Sequence, residues 1–484
     1  MELDKECLAM TRVCVILFIS IFSTMGFAKD LQVDANSAIC NDQSGKPYCR
    51  IQAAINAAAK DAIINIAQGT YIENLQIKQS LKLIGQTKQA VIIDGSQQQS
   101  VIRIAPAIHV ELQNLSITNG KSEEGGGVYN QGNTTIRHSN IYKNQAIEKG
   151  GAIFNGASLS SALDLQQVHI YENQVLTDDL YNIKSGGGAI YNAAPLQLFQ
   201  VELHHNTSHD NGGAIYSVYS GRQKASAAQQ AAEKLGLGGK TERTRWLVRP
   251  VDLESVVLKQ VNMHHNVAEN GGAITLHGVM SIYDSRLEHN TALLNRLSSG
   301  GAIFTHFDTR LRIENTLIAQ NKSSLRGGAI RFFSTQIALL NNVSILQNQI
   351  AAFGRGAGIH ITPTSNELQI TNSVIAKNIR GDKQSNDCYG EITSQGYNLL
   401  SNSDECQWQA ANGDMLGNAK TPIDPLIKPQ AEGWLIASNS PLIDNADDKK
   451  CTAKQDSYHH SRRRDGNADG DDRCDIGAIE FQPH

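Results

Sequence analysis

One short phrase returns along the middle of this chain: a glycine pair, a small residue, an Ile or Val, then an aromatic or polar residue. It reads GGGVYN at Gly125, GGAIFN at Gly150, GGAIYN at Gly187, GGAIYS at Gly212, GGAITL at Gly271, GGAIFT at Gly300, GGAIRF at Gly327 and GAGIHI at Gly356. Most starts lie 25 to 29 residues apart, while the interval after Gly150 is 37 and that after Gly212 is 59. A unit of this length cannot bury its apolar face alone, so it must stack on its neighbours. A second marker, apolar-x-x-Asn, places Asn144, Asn173, Asn206, Asn266, Asn290, Asn321 and Asn348 at matching points before the later glycine pairs. Asn119 before the first pair and Asn378 after the last extend the series.

Stacked coils of about 25 residues imply parallel strands spaced roughly 4.8 Å apart. The fold class expected is all-β: a single-stranded, right-handed parallel β-helix with a short N-terminal capping helix and a disulfide-tied C-terminal segment. An inward Asn at a corner can bond the turn backbone and the next Asn along the stack, which satisfies polar groups the corner would otherwise leave bare. The column Val128, Ile153, Ile190, Ile215, Ile274, Ile303, Ile330 and Ile359 should fill the core. Strand alternation then sends Tyr129, Phe154, Tyr191 and Tyr216 outward, as an exposed stripe able to stack on sugar rings.

Four regions follow. Residues 1–28 read as an export signal, with Arg12 before the apolar run from Val13 to Phe22 and cleavage expected after Ala28. The run is too short to span a bilayer. Met10 is an alternative start. Residues 29–62 form a cap, in which Ile51, Ala54, Ile55, Ala58 and Ala59 share one face of a short helix. Residues 63–385 form the β-helix, interrupted at 220–250 by a loop with seven Lys or Arg against two Glu. Residues 386–484 are the C-terminal region. With a net charge of only -4, the chain offers no whole-face footprint for nucleic acid. The six cysteines beyond residue 28 cluster as Cys40 with Cys49, Cys388 with Cys406 and Cys451 with Cys474, which favours local disulfides in an exported chain.

The C-terminal phrases DCYGEITSQGYNLLSNSDEC, DPLIKPQAEGWLIASNSPLIDNAD and CTAKQDSYHHSRRRDGNADGDDRCDIGAIEF resemble the choice-of-anchor Q region of bacterial β-helix proteins. The GGAI and apolar-x-x-Asn repeats are similar to polymorphic outer-membrane protein repeats of surface adhesins, and the scaffold resembles pectin-lyase-like enzymes. These resemblances imply a secreted or surface-held protein, while the aromatic stripe and the basic insertion point to binding of a surface glycan or partner without cleavage. A polysaccharide lyase or glycoside hydrolase is the competing reading.

An enzyme of either kind needs several carboxylates beside a base, or a carboxylate pair. Asp210 and Glu269, at equivalent points before Gly212 and Gly271, come nearest. His205, His265 and His289 each precede a ladder Asn, with His204 and His264 alongside, as a column able to bind a transition metal or respond to acid. Asp465, Asn467, Asp469 and Asp471 open with the spacing of a calcium loop, but Ile476 stands where its bidentate Glu belongs, so structural calcium is the one cofactor suggested.

Overall fold

The computed structural model describes residues 30–43, 46–156, 158, 160–177, 185–219, 255–293, 297–363, 367–381, 384–431 and 433–482. The expected export signal at 1–28 and the basic insertion at 220–250 lie outside these residues.

The regular coils have four strand positions, while the first two, beginning at Ala62 and Leu81, have three strands each. Ala162–Gln166 leads to His169–Tyr171, Gln174–Val175 and Ile190–Asn192 before the chain enters Leu196–Phe199 of the next coil. These strands pair in parallel with their counterparts one coil on: Leu163 with Leu196, His169 with Glu202, Gln174 with Thr207, Ile190 with Ile215. The protein is a right-handed parallel β-helix, the hand that parallel crossovers adopt. A sheet of 35 strands carries three of the four strand positions, and a second of 10 strands carries the position after the ladder asparagine. Ile215 pairs directly with Ile274, so the 59-residue interval adds no rung.

The repeat explains this regularity residue by residue. The Val and Ile of each phrase, from Val128 to Ile359, lie buried in one interior cluster. Both glycines are required, for different reasons. Gly212 has φ +60, in the left-handed region, while a Cβ on Gly213 would stand 2.2 Å from the Gly272 carbonyl oxygen of the next coil. Elsewhere the left-handed corners are held by residues other than glycine. Lys143, Glu172, His205, His265, His289, Gln320, Gln347 and Lys377 precede the ladder asparagines with φ between 52° and 60°.

The asparagines form a polar spine. Asn144, Asn173, Asn206, Asn266, Asn290, Asn321 and Asn348 each donate from Nδ2 to Oδ1 of the next, at 2.9 to 3.0 Å. Asn378 ends the file by donating to Asp387 Oδ1 at 2.8 Å. Each Oδ1 also accepts the backbone N–H of the preceding Asn, as Asn290 does from Asn266 at 3.1 Å, and the second Nδ2 hydrogen goes to a strand carbonyl, as from Asn266 to Leu203 at 2.9 Å. All four hydrogen-bonding sites of the amide are thereby used. Asn119 is not a member. Three residues after Ile117 the chain has Gly120, whose N–H bonds Asn144 Oδ1 at 2.9 Å, while Asn119 turns outward to Asp94 Oδ2 at 2.8 Å. A shorter spine runs from Asn130 to Asn155, Asn192 and Ser217, the last residue of successive glycine phrases.

At the N-terminal end, helix α1 (Ile51–Ala57) buries Ile51, Ala54 and Ile55. Its free amides at Ile51 and Gln52 donate to the two oxygens of Glu73, at 2.8 and 2.9 Å. A strand at Leu31–Val33, within the expected cap, already pairs in parallel with Ile64–Ile66. At the other end the chain makes an antiparallel hairpin, Ile427–Gln430 with Gly433–Ile436. It then folds back so that Cys451, Cys474, Ile476, Ala478 and Ile479 pack with Leu317, Leu346 and Val374 of the coils. All three disulfides are local: Cys40 with Cys49, Cys388 with Cys406, Cys451 with Cys474. No helix among the described residues is long and apolar enough to cross a membrane.

Candidate ligand groove and histidine corner

Where the returning C-terminal segment lies against the coils it leaves a groove of about 690 Å³. Its floor is a column of outward side chains in strand register: Lys259 beside Tyr283, Tyr283 beside Glu314, Glu314 beside Asn341. The next residues along, Gln260, Asp284, Asn315 and Asn342, all have φ between 47° and 55° and also line it. Lys454, Gln455 and His459 belong to the far wall. Asn315 ties floor to wall, donating to Asp284 Oδ1 at 2.8 Å and to the Gln455 carbonyl at 2.7 Å. Asn341 donates to the Lys450 carbonyl at 2.8 Å, and its buried Oδ1 has no partner.

Three carboxylates line the groove, each already partnered. Asp456 is fully buried and accepts from the backbone of Tyr458, His460 and Glu480. Glu314 is paired with Arg312, and Asp284 Oδ2 lies 3.9 Å from Lys259 Nζ. Among the described residues, no three His, Cys, Asp or Glu side chains gather as a metal site. Asp210 and Glu269 are not in this groove. They sit on adjacent coils at the glycine corner, where Glu269 N–H bonds the Asp210 carbonyl at 2.9 Å and the Asp210 carboxylate is turned back onto the Ser185 hydroxyl.

The histidines form two parallel files. His205, His265 and His289 stack at ring-centroid distances of 5.1 and 5.0 Å, while Tyr142, Tyr171, His204 and His264 stack at 5.0, 5.1 and 4.9 Å. Within each coil the files touch through Nδ1, at 2.9 Å between His204 and His205 and 3.0 Å between His264 and His265. Stacked rings direct their nitrogens side by side, not toward one point, so the column of His205, His265 and His289, expected to be able to bind a transition metal, does not gather a metal site among the described residues. Burial, with the neighbouring imidazoles, pushes His265 down to about 4. Glu202 accepts from His264 Nε2 at 3.1 Å, and that bond holds its carboxyl below the usual range. Glu288, in register with His264, accepts from Trp434 Nε1 at 3.0 Å.

The aromatic stripe also needs correction. Tyr129, Phe154, Tyr191 and Tyr216 do lie apart from the main interior cluster, but they are covered. Phe154, Tyr191 and Tyr216 are only 9%, 8% and 2% exposed. Tyr129 stacks on Phe154 at 5.0 Å with the Arg103 guanidinium 3.9 Å above its ring, and Phe154 stacks on Tyr191 at 5.5 Å. Rings in register one coil apart satisfy one another, which is why they are packing and not a sugar-binding face.

In the acidic turn, backbone amides already occupy the oxygens. Asp469 N–H bonds Asp465 Oδ1 at 3.0 Å and Asn467 Oδ1 at 2.9 Å, Gly470 N–H bonds Asp465 Oδ2 at 2.9 Å, and Asp471 is paired with Arg473 at 2.7 Å.

No protein-family model and no curated relative matches the chain. Among solved structures it is similar to the crystal structure of pectate lyase Pel9A, at 11% identity and a TM-score of 0.44, over 94% of this chain and 97% of that one.

Proposed function

We propose that this is an exported β-helix protein, secreted or held at a cell surface, that binds an extended polar polymer such as a glycan without cleaving it. The groove carries this reading. Its floor presents one set of side chains per coil, at a strand spacing of roughly 4.8 Å, so successive units of a polymer meet equivalent positions. Amides, a lysine and the Tyr283 ring are the groups that hold sugar hydroxyls and ring faces. Export is supported by the pattern ending at Ala28 and by three disulfides, which persist in oxidising compartments. The C-terminal likeness to the choice-of-anchor Q region, and the likeness of the coils to adhesin repeats, support a surface setting.

A glycan array probed with the purified protein tests this. Replacing Lys259 and Tyr283 together by Ala should abolish retention of the bound glycan, whereas Tyr142→Ala on the other corner should not. Equal retention by all three proteins would end the reading. A second reading, hydrolysis, is favoured only by Asp284 and Glu314 sharing one groove, since a carboxylate pair is what a glycosidase requires. New reducing ends that disappear in Asp284→Asn or Glu314→Gln would establish it.

A further inference from the structure

A second cavity, of about 330 Å³, opens at the glycine corner of the later coils, where Arg326, Phe353, Arg355, His360, Thr362 and Tyr389 meet. Strand register explains the gathering. Arg326 pairs with Arg355 one coil on, while Arg331 pairs with His360 and His360 with Tyr389. Three guanidinium groups therefore stand on neighbouring coils. Arg331 donates to Ser299 Oγ at 3.3 Å and Arg355 to the Tyr389 hydroxyl at 2.9 Å. Among the described residues none of the three is ion-paired with a carboxylate. Like charges left so close repel one another.

The cavity also holds polar atoms that lack what they need. His360 is 4% exposed, yet its Nδ1 has no hydrogen-bond partner, and the same is true of Thr362 Oγ1; Arg331, which is outside the cavity lining and lies over the Phe304 and Phe333 rings, also has an unpartnered Nε. Buried donors without partners are rare in folded proteins because water would otherwise serve them. Burial, and then the charges of Arg326, Arg331 and Arg355, push His360 down to about 3, so its ring is neutral and one of its nitrogens keeps a proton to donate. Burial first and Arg326 second bring Arg331 down to about 10.

We propose that this cavity binds a single oxyanion group, a carboxylate, sulfate or phosphate, between Arg326 and Arg355, with Thr362 and His360 donating to it. Guanidinium forks suit such oxygens, and unpaired ones attract them most. Phe353, 68% exposed at the rim, gives the body that carries the anion an apolar flank. The site shares no residue with the groove, so either can fail without the other.

Calorimetric titration of the purified, disulfide-intact protein with inorganic phosphate, inorganic sulfate and glucuronate tests the assignment. Saturable binding of at least one probe is expected, weakening as salt is raised, with no binding of neutral glucose. The ranking of the three probes separates a tetrahedral anion from a sugar carboxylate. Arg326→Gln and Arg355→Gln should each weaken the tightest probe about tenfold or more, while Lys78→Gln, an exposed cation on an early coil, leaves it unchanged. Because an arginine variant can misfold, the His360 ring resonances of the unaltered protein supply a second readout and should shift on saturation. The proposal is overturned if none of the three probes binds, if Lys78→Gln weakens binding as much as Arg355→Gln, or if the His360 signals stay fixed at saturation.

Discussion

The coils and the C-terminal segment solve the same problem, burying polar groups safely, in opposite ways. Along the coils each ladder Asn is served by residues one coil away, and the arrangement is repeated seven times before Asn378 ends it on Asp387. In the C-terminal segment the work falls on a few unique side chains, with Arg462 at their centre. Arg462 is fully buried, donating to Asn315 Oδ1 at 3.0 Å, the Gly477 carbonyl at 2.9 Å and the Asp475 carbonyl at 2.8 Å, with Glu480 Oε2 at 3.5 Å from its Nε. Burial drives the Glu480 and Asp475 carboxyls upward despite that cation. Repetition spreads the energy of a polar core over many small, near-neighbour terms. A unique hub concentrates it, and makes docking of the last residues an all-or-none event.

The largest test of this contrast is Arg462→Met. Breaking a buried ion pair from one side costs about 3–5 kcal/mol. Hydrogen exchange should show residues 437–482 losing protection while the coils from 125 to 290 keep theirs. Uniform loss throughout the chain would erase the distinction. Next comes the end of the spine. Burial lifts Asp387 from 3.8 to about 7, so the folded state holds its proton more tightly than the unfolded chain. This contribution to stability is complete below about pH 4 and is lost as pH rises through about 7. Denaturation midpoints at acid and alkaline pH should therefore differ less in Asp387→Asn than in the unaltered protein.

Opening the Cys451–Cys474 bridge, which spans 23 residues, should cost about 3 kcal/mol and again act on the C-terminal segment alone. Double replacement by Ser with urea denaturation followed at Trp434 measures it. Asn266→Ala removes one step of the spine, leaving the Leu203 carbonyl and the Asn206 amide short of a partner, and should cost about 2 kcal/mol. Coupling with Asn290→Ala should be strong and with Asn144→Ala absent, as a nearest-neighbour array requires. The smallest effect belongs to Asn119→Gly, within about 0.5 kcal/mol, since that residue lies outside the spine. A loss as large as that of Asn266→Ala would restore it to the ladder.

These contrasts explain what could be read from the sequence alone. Features set by the repeat were visible: the glycine pairs, the Ile column and the strand order are all consequences of contacts one coil apart, and cysteines 9 to 23 residues apart announced their pairing. Asn119 was placed one residue out of step because Gly120 interrupts the marker; counting three residues from Ile117 would have found it. Alternation sets the rings of Tyr129, Phe154, Tyr191 and Tyr216 apart from the Ile column but says nothing of what covers the outer face of a strand. The groove was invisible because its two walls, residues 259–342 and 452–459, are brought together by a segment with no period. The cationic cavity did leave a trace, in the arginines flanking the glycine phrase as RGGAIR and RGAGIH.

The spine has a direction: every Nδ2 points along the chain toward Asp387, and every Oδ1 points back. A whole coil can be copied or deleted without disturbing that polarity, because the new amide accepts from the one before and donates to the one after. A partial coil cannot, since it would set an apolar corner in the file and strand a donor on one side and an acceptor on the other. Length in this protein is thus a quantity counted in whole turns, and lineages descended from it should differ by integral coils, with fractional additions confined to insertions between strands, at places such as that between Ser217 and Val256.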